Sequence, residues 1–274
     1  MKVAFLGPES SFSNEAARKA FPKENLVAVE SISKIFQSVE GGKTDAGIIP
    51  LENSNEGSIT QTLDALASTE LVIIAETFLE VNQCLLSNEK VSSIQKIFSH
   101  PQGFAQCRTW VEKNFPKAEL VECASTAGAA KKAASEKNSA AIASESAGEK
   151  FGLKVLEKSI QDSADNKTRF AVVVKKDFSG AIKFPPSSKE FKTSLLFGVK
   201  DKPGSLFDAI KSFKDFGVNM TKIESRPSRK NAWEYVFFID ISGSIKDESV
   251  MKAIVELNKH CAFIKILGSY KRIE

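Results

Sequence analysis

The sequence predicts an α/β protein in two parts: a large region built on one or two mostly parallel, helix-covered sheets, and a smaller βαββαβ unit of ferredoxin-like arrangement. Three observations predict it. Short apolar runs alternate with helical patterns from residue 3 to residue 143. The stretch DFSGAIKFPPSSKE (177–190) then breaks the pattern with two prolines and a serine pair, as a linker does. Beyond it the order is strand, helix, strand, strand, helix, strand.

The elements follow in order. Apolar runs at 3–6, 26–29 and 46–49 read as buried strands, each followed by a helical pattern, at 11–21, 32–39 and 59–66. Residues 71–75 and 78–86 read as one or two longer strands. Strand 94–98, helix 102–114, strand 118–123, helix 126–137 and strand 140–143 close the series, and the run FAVVV (170–174) is a further buried strand. After the linker come strand 192–200, helix 204–216, strands 218–228 and 232–242, helix 247–259 and strand 262–269. Leu206, Ile210 and Phe213 give the first of these helices its apolar stripe, and Gly217 its C-terminal cap. Trp233, Tyr235, Phe237, Ile239 and Ile241 alternate along one strand face. Open edges of such a sheet need a partner, so dimerisation is expected.

Composition narrows the function. With 42% apolar and 26% charged residues the chain can bury a core. A net charge of +4 with no basic run argues against a dedicated nucleic-acid binder and suits an anionic small molecule. The opening MKVAFLG turns too early for a secretory signal, and no apolar stretch spans a bilayer; a cytoplasmic, membrane-free protein is expected. Cys84, Cys107, Cys123 and Cys261 form no CxxC pair and read as reduced. His100 and His260 are the only histidines, which disfavours a His-based metal site, and there is no Walker or GxGxxG loop.

Four strand-to-helix joints share a chemistry: GPESSFS (7–13), ENSNEGS (52–58), SHPQGFAQ (99–106) and STAGAA (125–130). Each places hydroxyl, amide or glycine residues where a helix begins. Such joints lie at the carboxyl ends of strands, where free N–H groups and the helix dipole favour anions. Any one of them is explained by capping alone, as at Ser125 or Thr126; four together point to an anion-binding cleft. Glu52-Asn53, directly after a strand, exceeds what capping needs, although an acid there also suits a helix dipole. Gln106 shares a helix face with Gln102. His100 before Pro101 is expected to satisfy its turn by hydrogen bonding. Thr168-Arg169 stands at the mouth of the FAVVV strand, and Arg169 is one of six arginines against 32 lysines. From these residues alone it reads as a sheet-edge cap or the partner of an acid such as Asp162.

The segments GPESSFSNEAA, PLENSNEGSITQTLDAL, SHPQGFAQCRTW, STAGAAKKAA and NKTRF resemble, in order, the signature segments of prephenate dehydratases. DKPGSLFDAIKSFKDFGVNMTKIESRPSRKNAWEYVFFIDISG and ILGSY resemble the regulatory ACT domain attached to those enzymes. The resemblance implies a two-lobed catalytic domain similar to type II periplasmic binding proteins over residues 1–180. Its first lobe would take about 1–90 and 169–180, its second about 91–168. A linker at 181–190 and an ACT domain at 191–274 would follow. Thr168 and Arg169 would then sit at the crossing between lobes, facing the cleft.

The implied reaction converts prephenate to phenylpyruvate, water and CO2 in L-phenylalanine biosynthesis. The gain of an aromatic ring drives it, so no cofactor is expected. Arg169 with the helix starts at Ser11 and Ser125-Thr126 would hold the dianion. Thr168 would donate a hydrogen bond to the departing hydroxyl, and either Thr168 or a protonated Glu52 would supply the proton. Asn53, Ser99, Gln106 and Phe170 would position the substrate. L-Phenylalanine would be the effector, bound between ACT domains of a homodimer or homotetramer. Its site would use Gly204, Ser205 and Leu206 at a helix start, Asn219, and the motif Glu224-Ser225-Arg226-Pro227, which without the resemblance reads as a plain turn. Arogenate as substrate, and a non-catalytic amino-acid-sensing protein, are the alternatives.

Overall fold

The computed structural model describes residues 1–163, 165–180, 182–185, 187–228 and 235–273. Trp233, the start of the expected 232–242 strand, and positions 181 and 186 of the linker lie outside the described residues. The first lobe runs β1 (Lys2–Leu6), α1 (Phe12–Ala20), β2 (Asn25–Val29), α2 (Ile32–Glu40), β3 (Ala46–Asn53), β4 (Gly57–Ser58), α3 (Thr60–Ser68) and β5 (Val72–Glu80). The second holds β6 (Cys84–Ser87), β7 (Lys96–Ser99), α4 (Pro101–Gln106), α5 (Arg108–Asn114), β8 (Glu119–Glu122), α6 (Thr126–Ala133), β9 (Ser139–Ala143), α7 (Glu145–Phe151) and β10 (Lys154–Glu157). Strand β11 (Lys167–Val174) crosses back. The C-terminal unit comprises β12 (Ser187–Val199), α8 (Ser205–Asp215), β13 (Met220–Pro227), β14 (Tyr235–Ser242), α9 (Glu248–His260) and β15 (Cys261–Ile273).

Hydrophobic patterning accounts for the layers. In the first lobe β1 lies parallel to β2 and β3, while β11 returns antiparallel between β3 and β5, so the sheet is mixed rather than mostly parallel. Phe170 to Val174 are at most 2% exposed, as a strand covered on both faces must be. Ala16, Ala17 and Ala20 of α1 pack on one face with Phe5 and Val172. Ile35, Phe36 and Val39 of α2 and Leu63 and Leu66 of α3 pack on the other. Each such large aliphatic side chain contributes roughly 1.5–3 kcal/mol by burial.

The second lobe is a five-stranded sheet ordered β10-β6-β9-β7-β8, in which β6 is antiparallel to both neighbours. Its first strand starts at Cys84. The expected 102–114 helix is broken at Cys107, whose side chain is fully buried. Helix α7 and strand β10, which no apolar periodicity announced, complete the lobe.

In the C-terminal unit the strands order β13-β14-β12-β15, with α8 and α9 on one face. Its other face, through Leu196, Phe238, Leu267 and Tyr270, joins the core of the first lobe. Strand β15 stays paired with β12 to its end and on its other side pairs parallel to β5, with Arg272 opposite Glu76. Two sheets thereby become one of ten strands. Gly268 stands where β15 crosses β5; a Cβ there would lie 2.1 Å from the Ile73 carbonyl oxygen, so only glycine fits. Among the described residues no helix is long and apolar enough to cross a membrane.

Candidate active site

Between the lobes lies a cleft of about 640 Å3, large enough for a small organic ligand. All four hydroxyl- and amide-rich joints open into it. Ser11 caps α1, its Oγ accepting from Asn14 N at 3.3 Å and donating to the Leu6 carbonyl. Ser125 caps α6, accepting from Gly128 N at 3.0 Å. His100 caps α4 through Nδ1, which accepts from Gln102 N at 3.2 Å, as expected for that turn. Helix α3 starts at the cleft with no side-chain cap, leaving its first N–H groups for a ligand. Phe12, Ile59 and Phe170 supply apolar wall. Among the described residues no lysine or arginine lines the cleft, so an anion there meets neutral donors and helix dipoles.

Thr168 lies at the floor. Asn53 Nδ2 donates to Thr168 Oγ1 at 3.0 Å and to Asn166 Oδ1 at 2.9 Å. Asn53 Oδ1 accepts from the N–H groups of Asn55 and Glu56 at 3.0 and 3.3 Å. With its oxygen already accepting, the Thr168 hydroxyl keeps its proton for a ligand. Gln106 reaches across from the second lobe: its Nε2 donates to Glu56 Oε1 at 3.3 Å, and its Oε1 accepts from Gln83 Nε2 at 3.1 Å. Gln83 Oε1 is buried at the cleft without a hydrogen-bond partner.

Three expected site residues lie elsewhere. Successive residues of a strand face opposite ways, so Thr168 and Phe170 line the cleft and Arg169 does not. Its guanidinium, 5% exposed, is held by Glu76 at 2.7 Å, Asp240 at 2.6 Å, Tyr270 at 3.1 Å and Glu52 at 3.4 Å. Glu52 is turned the same way by a bulge. Asn53 pairs with Thr168 and Glu52 with Arg169, but Phe170 pairs with Pro50, so Leu51 is the extra residue. Pro50 faces the cleft; the inserted Leu51 puts Asn53, not Glu52, on that side. Glu52 instead meets Lys222 at 2.9 Å, outside the cleft. Ser99 is fully buried beneath α4, its Oγ donating to the Ile142 carbonyl at 2.9 Å.

Arg169 thus pairs with acids, as the residues alone suggested, but with Glu76 and Asp240 rather than Asp162, which accepts from the Thr109 and Trp110 N–H groups. Arg169, Lys192 and Lys222 balance Glu52, Glu76 and Asp240 across the seam between the first lobe and the C-terminal sheet. Burial opposes the Arg169 charge, but the Asp240 and Glu76 carboxylates outweigh it and raise its pKa. Burial, then Asp240, pushes the Tyr270 phenol up, so it stays protonated. The signal for this network was present: Glu76 in VIIAETFLE and Asp240 in VFFIDIS are charges inside apolar strands.

In the C-terminal unit Gly204 begins α8 with φ 84° and no side-chain cap, Ser205 follows it half-buried, and Leu206 packs into that unit's core. Asn219 is exposed at the far end of α8, a helix length from Gly204. Glu224 and Arg226 turn towards the first lobe, Glu224 Oε2 accepting from Ser58 Oγ at 3.2 Å and Arg226 meeting Asp64 at 3.3 Å. Ser225 and Pro227 face solvent on the open edge strand.

The profile of the family "Prephenate dehydratase" matches residues 3–178, and that of the ACT domain residues 193–258. The bifunctional chorismate mutase/prephenate dehydratase of Aquifex aeolicus is 41% identical, over 99% of this chain and 74% of its own length. The chloroplastic arogenate dehydratase/prephenate dehydratase 2 of Arabidopsis thaliana is 37% identical, over 98% and 72%. The structure of a prephenate dehydratase from Arthrobacter aurescens in complex with L-Phe superposes with a TM-score of 0.88 at 32% identity, covering 98% of this chain and 90% of that one. A two-lobed cleft floored by Thr168, ringed by helix starts and followed by a βαββαβ unit, together with these matches, makes the chain a member of the prephenate dehydratase family carrying a C-terminal ACT domain.

Proposed function

We propose that prephenate binds in this cleft as a dianion, held by the N-termini of α1, α3 and α6 in place of any basic side chain. The observation that carries the reading is the Asn53–Thr168 hydrogen bond, which leaves a single oriented donor on the cleft floor. Thr168 donates to the hydroxyl as the C–O bond lengthens, where negative charge develops. Phe170 and Phe12 flank the ring, and Gln106 spans the opening. On this reading the lobes divide at their sheets, 1–83 with 167–180 against 84–166, and the ACT domain begins near 187. The test is turnover of prephenate to phenylpyruvate by the purified chain, before and after chelation. Thr168→Ala should lower kcat by about 10²–10³ with little change in KM. A change confined to KM removes Thr168 from this role.

Arogenate is the second reading, favoured by one observation: Glu56 places a carboxylate in the cleft, where it can meet an ammonium group. The ratio of kcat/KM for the two substrates decides.

L-Phenylalanine binds the ACT domain between two chains and lowers activity. Gly204 and Asn219 stand at opposite ends of α8, so one chain alone does not bring them together. The exposed edge β13 offers the surface for a second copy. Calorimetric titration of the full chain with phenylalanine, alongside its oligomeric state, tests this. Absence of both binding and inhibition overturns it.

A further inference from the structure

Expulsion of hydroxide from prephenate needs a proton. The geometry removes Glu52 from the cleft, and a threonine hydroxyl is far too weak an acid to be the sole source. Among the described residues only two titratable side chains line the cleft, Glu56 and His100. We propose that Glu56 is the general acid of the dehydration, an inference that rests on the cleft being the prephenate site.

Three features place it. The tight turn between β3 and β4 is fixed by Asn53, whose Oδ1 accepts from Glu56 N while its Nδ2 donates to Thr168. One amide therefore sets the acid's backbone and the hydrogen-bond donor together. From the opposite lobe Gln106 Nε2 donates to Glu56 Oε1, and Gln83 fixes which way the Gln106 amide faces. An Oε1 that accepts leaves Oε2 to carry the proton.

Most charged groups on neighbouring elements are otherwise engaged. Glu52 pairs with Lys222, Glu224 accepts from Ser58, Lys167 pairs with Glu80 on the strands behind the turn, and Asp165 precedes β11. His100 faces the cleft from the second lobe with Nδ1 occupied by its own helix.

The step balances. The bond from the ring to the departing carboxylate breaks, and its electron pair enters the ring as CO2 leaves. The C–O bond at the opposite ring carbon breaks, and its oxygen takes the Glu56 proton and departs as water. Prephenate dianion and one proton give phenylpyruvate anion, CO2 and water; Glu56 recovers its proton from solvent.

The experiment compares wild type, Glu56→Gln, Glu56→Asp and His100→Gln as full chains on prephenate across pH. Glu56→Gln should lose about 10²–10⁴ in kcat with KM changed little. Its residual rate should rise steadily with acidity, because solvent must then supply the proton, and Glu56→Asp should recover part of the loss. The inflection that ends the wild-type kcat plateau on the alkaline side should be absent from Glu56→Gln, whose rate slopes evenly across the range. Full kcat in Glu56→Gln, a change in KM alone, or loss of the alkaline limb in His100→Gln instead would each overturn the assignment while the dehydratase activity stands. A wild-type chain that makes no phenylpyruvate removes the underlying reading, and the inference with it.

Discussion

Asn53 uses its whole side-chain amide within the cleft wall, orienting Thr168 with one end and the Glu56 turn with the other. Asn53→Ala should therefore resemble a Thr168 variant rather than a packing defect, with kcat down on the order of 10²-fold through misorientation alone. Residues acting together are not additive, but Asn53 also holds the Glu56 turn, so the double variant with Thr168→Ala should be slower than Thr168→Ala yet faster than the product of the two effects. Full multiplication of the two effects in steady-state kinetics would show that Asn53 does not act through Thr168. Thr168 and Asn53 were legible in the sequence as polar groups at strand ends. Glu52 and Arg169 were legible as unusual but not as to direction. A strand's facing is decided by a single inserted residue, Leu51, and no local pattern in PLEN announces it. Glu56 was overlooked for a related reason: an acid in the polar turn NSNEGS looks like any other turn residue.

The elements that mattered most were the four strand-to-helix joints and β11. The joints could be read because such hydrogen bonding is local: a serine, asparagine or histidine side chain accepts from an N–H two or three residues on, whatever the rest of the chain does. Helix α7 could not, since its seven residues bury only Ala147 and Gly148 and show no apolar stripe. Strand β11 serves two masters through its alternation, offering Thr168 to the cleft and Arg169 to the seam behind it. Arg169→Ala would leave Asp240, 7% exposed at its side chain, without its guanidinium partner and Glu76, 4% exposed, with Lys192 alone. Loss of about 3–5 kcal/mol in urea unfolding is expected. Arg169→Lys should recover little, because one ammonium cannot reproduce the guanidinium's contacts with Glu76, Asp240 and Tyr270. Unchanged stability in both variants would show that the network adds nothing.

At the scale of the whole molecule, the ACT domain is built into the enzyme rather than tethered to it. Leu196, Phe238, Leu267 and Tyr270 complete the first lobe's core, and β15 covers the edge of β5. A chain ending at residue 180 should accordingly be poorly soluble and should lose amide-exchange protection along β5 and β11. Retention of full turnover by a soluble truncated chain would contradict this. The proposed phenylalanine control is better tested by point substitutions on the outer edge of the C-terminal unit, at Ser225 or Asn219, which face solvent. The shared strand also bears on how the protein is made. A ribosome delivers residues 261–273 after the strands they join, so β5 emerges early and waits through the synthesis of β6 to β14 for its outer neighbour. Throughout that interval the nascent chain displays an unpaired strand edge and a buried-charge cluster lacking Tyr270. The interval is a vulnerable window, in which a chaperone or a second nascent copy can reach the edge that β15 later seals.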